Sequence, residues 1–310
     1  MTRVISYNIL AGGTRRIDQL HQMLQAQHAD LIGLVEAVDD RVVEELAARL
    51  GMEYRLSGRL KGRVVEQGAL LSRYPILSTR AHSTSMLTKQ PLLEVCVEEP
   101  DGQPLTVFVA HLTADFSQGW AANLKRRREV AEILRIMAAH RGTNHLVMGD
   151  FNSIVPGDRV KGSRFLRYIT DPNLYYHLAS GGKQGLPSLN YVVPPRLRFV
   201  KPLLVAAPKS RALCALFDTL DPLYAPRGGF NLLSSAGYVD CFRALHPFEP
   251  GFTWPAAMPA GRIDYIFASP TLAGRLACSE VLTGCCKVCG ADASDHLPIS
   301  AEFRPALAQM

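Results

Sequence analysis

Long hydrophobic runs are missing from this chain of 310 residues. Its longest apolar pieces, such as PLLVAAP at 202–208, fall far short of the roughly 18 residues of a membrane span. The first residues, MTRVISYNIL, lack the long apolar core of a signal peptide and are typical of a strand. Seven cysteines show no regular disulfide spacing, and the C-x-x-C at Cys286 and Cys289 has no second pair of zinc ligands. These absences predict a cytoplasmic protein with free thiols.

Acidic residues are scarce in one part of the chain. Between residues 159 and 211, ten lysines and arginines stand against the single acid Asp171. This segment alone therefore carries a formal charge of +9, whereas the whole chain carries only +6. A local basic surface of this kind favours polyanions, either nucleic acid or an anionic membrane surface.

The order of the patterns predicts one α/β domain. Strand-like and helix-like stretches alternate up to about residue 150, and 47% hydrophobic residues suffice for a large core. From 154 to about 235 the sequence becomes basic, Pro- and Gly-rich and irregular. Strand-like patterning returns in GYVDCFRAL, GRIDYIFASP and DHLPISAEF. We therefore predict a single domain over residues 1–310 with an insertion at about 154–235.

The clearest helical spacing lies at residues 121–139. Leu124, Val130, Ile133, Leu134 and Met137 fall on one face of this helix, and we expect that face to be buried. The basic run KRRR at 125–128 is expected to be a solvated face.

Polar residues end or interrupt several strands that are otherwise apolar. Burying such a residue without a partner is costly, so several of them together indicate a common site. Asp150 and Asn152 are two positions apart, and on an extended backbone they would point to the same spot. Carboxylate and amide oxygens suit a hard cation such as Mg²⁺. The residues are Asn8, Glu36, His111, Asp150, Asn152, Asp264, Asp295 and His296.

These residues lie in motifs that resemble the endonuclease/exonuclease/phosphatase superfamily. The motifs SYNIL, GLVEA, ALLSRYP, AHL, MGDFNS, GRIDYIFAS and SDHLPI occur in the order that the family has. Each motif alone is weak, but together they span nearly the whole chain. The resemblance implies a four-layer α/β sandwich, in which two packed mixed β-sheets are flanked by helices. It also implies a metal-dependent phosphoesterase with its site at one end of the sandwich.

The resemblance also implies a metal site. Glu36 would be the main Mg²⁺ ligand, and Asn8 and Asp295 would lie near the metal. Mn²⁺ is expected to substitute for Mg²⁺.

The remaining motif residues would act on water and phosphate. Asp150 and Asn152 would position or deprotonate the attacking water. His296, oriented by Asp264, would contact the scissile phosphate. His111 would be a second phosphate contact or the proton donor to the leaving oxygen. These assignments suit an in-line attack, in which negative charge develops on the phosphate oxygens and the leaving group.

Three positions differ from parts of the family. Leu10 stands where abasic-site endonucleases carry an acid, and His111 stands where that branch has a tyrosine. Both differences favour the branches with the extra histidine over the abasic-site endonucleases. Val35 precedes Glu36 where many members have glutamine.

The insertion is expected to select the substrate. Its basic residues alternate with aromatic ones, which is typical of a groove for single-stranded nucleic acid. Arg196, Arg198, Lys201 and Tyr191 are the predicted substrate-binding residues. A plainer alternative is that the aromatic residues pack the insertion onto the core while the charges are solvated. We predict a nuclease that acts on DNA or RNA.

An alternative substrate is a phospholipid or an inositol phosphate. PLLVAAP with Lys201 and Lys209 beside it has the character of an apolar tip with basic flanks that docks on anionic lipid. A catalytically inactive binding protein is disfavoured because every catalytic position of the motif set is filled. No protein partner is predicted.

Overall fold

The fold is taken from a computed structural model, which describes residues 1–60, 66–171, 189, 193–220, 223, 225–285 and 288–306. Two six-stranded sheets form the centre of the molecule. The strands are β1 (Thr2–Asn8), β2 (Leu31–Val35), β3 (Glu53–Leu56), β4 (Ala69–Ser72), β5 (Ile76–His82), β6 (Leu92–Glu98), β7 (Pro104–His111), β8 (His145–Asp150), β9 (Val239–Asp240), β10 (Asp264–Ala268), β11 (Leu276–Val281) and β12 (Ile299–Phe303).

Both sheets are mixed. The first has the order β11-β12-β1-β2-β4-β3, and the second has the order β5-β6-β7-β8-β10-β9. The pairs β1–β2 and β7–β8 are parallel, and their neighbours on either side are antiparallel. Pro75 lies between β4 and β5, where the chain leaves the first sheet and begins the edge strand of the second.

The described residues also form ten α-helices. They are α1 (Ile17–Gln25), α2 (Asp40–Leu50), α3 (Trp120–Met137), α4 (Gly162–Thr170), α5 (Lys201–Ala206), α6 (Arg211–Thr219), α7 (Phe230–Ser235), α8 (Cys241–Leu245), α9 (Pro270–Ala273) and α10 (Gly290–Ala293). Helices α1 and α2 pack on the first sheet, and α3 and α7 pack on the second. Valines, leucines and isoleucines from both sheets fill the space between them. The predicted four-layer α/β sandwich is therefore confirmed.

The segment predicted to be irregular is largely helical where it is described. It contains α4, a 3-10 helix at Pro195–Val200, α5, a 3-10 turn at Ala207–Lys209, α6 and α7. The prolines of this segment predicted irregular structure, because proline inside a helix usually breaks it. Pro195, Pro202 and Pro208 instead lie in the first turn of consecutive short helices, where a missing N–H costs nothing.

Three further expectations from the patterns are corrected. GYVDCFRAL is not a long strand, because the Asp240 side chain accepts a hydrogen bond from the Arg243 N–H and caps α8. In α3, Arg126 is buried rather than solvated: its Nη1 donates to the carbonyl of Thr113 at 2.9 Å. Leu124, expected to be buried, is 40% exposed.

Among the described residues, the helices are too short or too polar to span a membrane.

Candidate active site

The register of the second sheet brings three of the predicted residues side by side. His111 ends β7 and Asp150 ends β8, and the two stand opposite each other in a parallel pair. Asp264 begins the antiparallel strand β10 and also stands opposite Asp150. Two strands that end and one that begins at the same edge therefore present two acids and an imidazole together.

The first sheet contributes Asn8 and Glu36 at the same end of the sandwich. Asn8 ends β1, and Glu36 follows β2 directly, with a backbone φ of 58°. The amide Nδ2 of Asn8 donates to Glu36 Oε1 at 3.0 Å and to Asp150 Oδ2 at 3.2 Å. Asn8 therefore connects the two sheets across the site. Glu36 Oε2 accepts a further hydrogen bond from the Ala11 N–H at 2.8 Å.

His296 is held by Asp264. Its Nδ1 lies 2.8 Å from Asp264 Oδ2, and its Nε2 faces Asp150 Oδ2 at 3.8 Å. Burial opposes protonation of His296, but Asp264, Asp295 and Asp150 together raise its pKa well above the ordinary value. The ring is thus buried beside carboxylates that favour its charged form, and its Nε2 faces Asp150.

His111 has a carboxylate partner that the sequence did not indicate. Its Nδ1 lies 3.2 Å from Glu66 Oε2, and Glu66 Oε1 accepts from Lys89 Nζ at 2.9 Å. Burial raises the pKa of Glu66, but His111 and Lys89 outweigh burial and lower this pKa to about 2. Burial likewise opposes protonation of His111, and Glu66 and Asp150 raise its pKa. In the sequence, Glu66 is one acid among basic residues before β4, and nothing in the pattern distinguishes it.

Asp150 is the residue that both imidazoles approach. Its Oδ2 lies 3.5 Å from His111 Nε2, and its Oδ1 accepts from the Asn152 N–H at 2.8 Å. Burial, together with the neighbouring Asp264 carboxylate, raises the pKa of Asp150 to about 6. His296 and His111 oppose this shift because their charged forms favour the ionised carboxylate.

Asn152 does not share the direction of Asp150. The strand ends at Asp150, and Asn152 has a φ of 47°, so the extended geometry assumed from the sequence does not hold. Its Nδ2 donates to the carbonyl of Leu112 at 3.0 Å. Asn152 orients Asp150 through its main-chain N–H.

Asp295 carries an oxygen without a protein partner. Its Oδ2 accepts from Trp254 Nε1 at 3.3 Å, whereas its buried Oδ1 has no hydrogen-bond partner among the described residues. Burial raises the pKa of Asp295, and the nearby Glu36 raises it further. Ligand atoms of Asp150, Asp264 and His296 also lie within 4.8 Å of one another and could hold a metal ion.

The predicted substrate-binding residues that the structure describes lie on the helical segment of the insertion. Arg196 and Arg198 are exposed on the 3-10 helix Pro195–Val200, and Lys201 begins α5. Tyr191 lies outside the described residues. The same helical segment lines a cavity of about 340 Å³, and Trp254 forms part of its wall. Sequence reasoning missed both this cavity and Trp254.

Comparison with known proteins identifies the class of this fold and site. The model of the endonuclease/exonuclease/phosphatase family matches residues 5–296. The chain belongs to this family, whose members hydrolyse phosphoesters. A search of curated proteins found no match.

Solved structures share the fold over nearly the whole chain. An AP endonuclease from Archaeoglobus fulgidus aligns with a TM-score of 0.62 and 15% identity, covering 98% of this chain and 99% of that one. The 3′ phosphatase NExo from Neisseria, bound to a product DNA hairpin, aligns with a TM-score of 0.61 and 18% identity over 98% and 99% of the two chains. A humanized D. rerio TDP2 has a TM-score of 0.57 and 16% identity, with 98% of each chain covered.

Proposed function

We propose that this chain is a divalent-cation-dependent phosphodiesterase whose substrate is nucleic acid. The observation that carries the proposal is the position of Asp150. It lies between two carboxylate-paired imidazoles, His111 and His296, and also accepts from Asn8 of the opposite sheet. A carboxylate for water and two imidazolium groups for developing charge are the parts that phosphodiester hydrolysis requires.

The residues suit Mg²⁺, with Mn²⁺ as a substitute. Asp295 offers a buried oxygen that has no hydrogen-bond partner among the described residues, and Glu36 offers a second carboxylate. Asn8 offers its amide oxygen, which accepts from the Leu10 N–H at 3.0 Å. Asp264 and His296 are less suitable ligands because they are paired with each other and the imidazole is charged. We therefore propose that Glu36, Asp295 and Asn8 hold the cation. When bound, it would neutralise charge on the phosphate as a Lewis acid.

The other residues act directly on the reacting atoms in this proposal. Asp150 Oδ2 accepts a proton from the attacking water, and the Asn152 N–H holds the carboxylate in place. His296 donates through Nε2 to a nonbridging phosphate oxygen, while Asp264 fixes Nδ1 as the other donor. His111 protonates the leaving oxygen, and Glu66 keeps its ring charged.

Nucleic acid is supported by the neighbours and by the surface. The AP endonuclease and the phosphatase bound to DNA share this fold, and Arg196 and Arg198 are exposed cations next to the 77% exposed ring of Phe199. His111 stands where the abasic-site endonucleases have a tyrosine, and it is paired with Glu66. We therefore assign the chain to the branches with the extra histidine. Six described cysteines are free thiols, which agrees with the cytoplasmic location that we propose.

Phospholipid is a second candidate because of one observation. The cavity beside Trp254 is lined almost entirely by apolar residues, and exposed apolar side chains lie on the same helical segment.

Hydrolysis of bis-p-nitrophenyl phosphate tests the chemistry. We expect activity with Mg²⁺ or Mn²⁺, none with EDTA, and a loss of about 10²- to 10⁴-fold in Asp150→Asn and in His296→Gln. His140→Gln is the matched control, because His140 lies beyond the opposite end of β8 and pairs with Glu94. Equal rates in the wild type and the two site variants would overturn the proposal.

Binding of a single-stranded oligonucleotide tests the substrate. Arg196→Gln with Arg198→Gln should weaken binding and reduce the slope of log K against log salt by about 1.4, because two phosphate contacts to a single strand are lost. Arg127→Gln with Arg128→Gln, which changes two exposed arginines of α3, is the control. An unchanged slope in the first pair would contradict a role for these arginines.

A further inference from the structure

The cavity of about 340 Å³ lies between the helical segment and the end of the second sheet. Its lining includes Leu197, Leu204 of α5, and Phe165 and Leu166 of α4. Trp254 also lines it and contacts Asp295 of the catalytic cluster. Its volume falls within the range of small-molecule sites, which begins at roughly 300 Å³.

Trp254 belongs to both the cavity and the site. Its Nε1 donates to Asp295 Oδ2 at 3.3 Å, and its ring centroid lies 6.2 Å from that of His296. The same ring lies 4.9 Å from the ring of Phe165 in the cavity wall. The indole ring of Trp254 would therefore lie between a ligand in the cavity and the phosphate that reacts.

The cavity offers little to a polar ligand. Asn123 and Arg126 are the polar side chains among its described lining residues, and Arg126 Nη2 already donates to Asn123 Oδ1. Arg126 Nη1 donates to the carbonyl of Thr113 at 2.9 Å. A nucleobase would exchange most of its hydrogen bonds to water for contacts with apolar side chains here, which is costly. An aliphatic chain carries no such penalty.

The surroundings favour an anionic head group. Leu197 lines the cavity, and the residues on either side of it, Arg196 and Arg198, are exposed. Two further apolar side chains of the segment lie at the surface: Phe199 is 77% exposed and Leu203 is 49% exposed. Exposed cations on either side of an apolar residue that lines the cavity suit a molecule with one charged end and one apolar end.

We propose that this cavity binds the aliphatic chain of an anionic amphiphile, whose head group lies against Arg196 and Arg198. This site goes beyond the proposed hydrolysis, since binding requires only the cavity and its opening. The aliphatic chain belongs either to a phosphodiester that the site hydrolyses or to a separate lipid such as a fatty acid.

Calorimetric titration of the whole protein with alkyl phosphates of six to twelve carbons, below their micelle concentrations, tests the proposal. The dissociation constant should fall about fourfold for each added methylene, until the cavity is full. Alkyl trimethylammonium ions of the same lengths should bind more weakly. An affinity that does not depend on chain length would overturn the proposal.

Two positions of α5 provide matched variants. Leu204→Trp reduces the cavity and should abolish the dependence on chain length, whereas Leu203→Trp, at an exposed position that does not line the cavity, should retain it. Leu204→Asp and Leu203→Asp form a second pair that reduces the apolar character without added volume. Equal binding by Leu204 and Leu203 variants that fold normally would also overturn the proposal.

Two experiments distinguish the source of the aliphatic chain. If the amphiphile is a substrate, kcat/KM for alkyl 4-nitrophenyl phosphodiesters should rise with chain length in the wild type and not in Leu204→Trp. If it is a separate lipid, alkyl carboxylates should bind as tightly as alkyl phosphates, and kcat/KM should not depend on chain length. Calorimetry with EDTA present needs no turnover, so failure of the proposed hydrolysis and failure of this site are separate results.

Discussion

At the scale of single residues, the site is a set of pairs that keep buried groups charged. His296 is paired with Asp264, and His111 is paired with Glu66. Burial opposes protonation of each imidazole, and its carboxylate favours it. The residues that touch the substrate in our proposal thus depend on residues that do not.

The Glu66 ion pair should make stability depend on pH. The pKa of Glu66 is about 2 in the folded chain, below its ordinary value of 4.5. The ion pair therefore stabilises the fold above the ordinary value, and this stabilisation is lost as the pH falls toward 2. We expect Glu66→Gln to lower the free energy of unfolding by about 2 kcal/mol at pH 6 and by about half as much at pH 3.

Urea titration at each pH measures this difference. Glu98→Gln, which changes an exposed acid at the end of β6, is the control. A Glu66→Gln effect that is constant with pH would show that its cause is not the charge.

Arg126 provides a second test at this scale. Its guanidinium is buried, and removing it leaves the Thr113 carbonyl without its donor. Arg126→Ala should lower the free energy of unfolding by about 2–4 kcal/mol, whereas Arg127→Ala should change it by less than about 0.5 kcal/mol. Similar urea midpoints for the two variants would contradict this account of α3.

At the scale of elements, strand register is what assembles the site. A shift of one residue between β7 and β8 would turn His111 away from Asp150. Gly149 is part of this register. It has a φ of 143°, and a Cβ at this position would lie 1.8 Å from the Ala110 carbonyl oxygen on β7.

Gly149→Ala should therefore separate β7 from β8 next to Asp150. We expect a loss of about 3 kcal/mol or more in unfolding free energy, together with loss of hydrolysis. Gly274→Ala is the control, because nothing lies within 4 Å of a Cβ there. Normal stability of Gly149→Ala in urea titration would disprove the steric argument.

Strand-end residues could be predicted from the sequence because the strands are short, apolar and closed by distinctive motifs. His111, Asp150, Asp264 and His296 all meet where the motifs indicated. Glu66 and Trp254 could not be predicted, because their roles depend on long-range contacts. The helices after Asn152 were missed because prolines mark the start of a helix as readily as its end.

At the scale of the whole molecule, binding of the cation should stabilise both sheets against unfolding. Glu36 and Asn8 belong to the first sheet, and Asn8 also contacts Asp150 of the second. A cation that binds the folded chain alone adds about 2.7 kcal/mol to its stability at one hundred times its Kd.

Thermal unfolding with and without Mg²⁺ measures this effect without any substrate. We expect Mg²⁺ to raise the Tm of the wild type and to raise the Tm of Asp295→Asn much less. Asp18→Asn, at a surface ion pair with Arg49, should respond as the wild type does. An equal Mg²⁺ response in Asp295→Asn would remove Asp295 from the proposed ligands.

The pairing of β1 with β12 joins the two ends of the described chain, with Thr2 opposite Phe303. Asn8 and Glu36 are translated long before Asp295 and His296. A nascent chain therefore completes the site only after Asp295 and His296 have been added and β12 has paired with β1. If hydrolysis is as proposed, chains stopped before residue 295 are inactive.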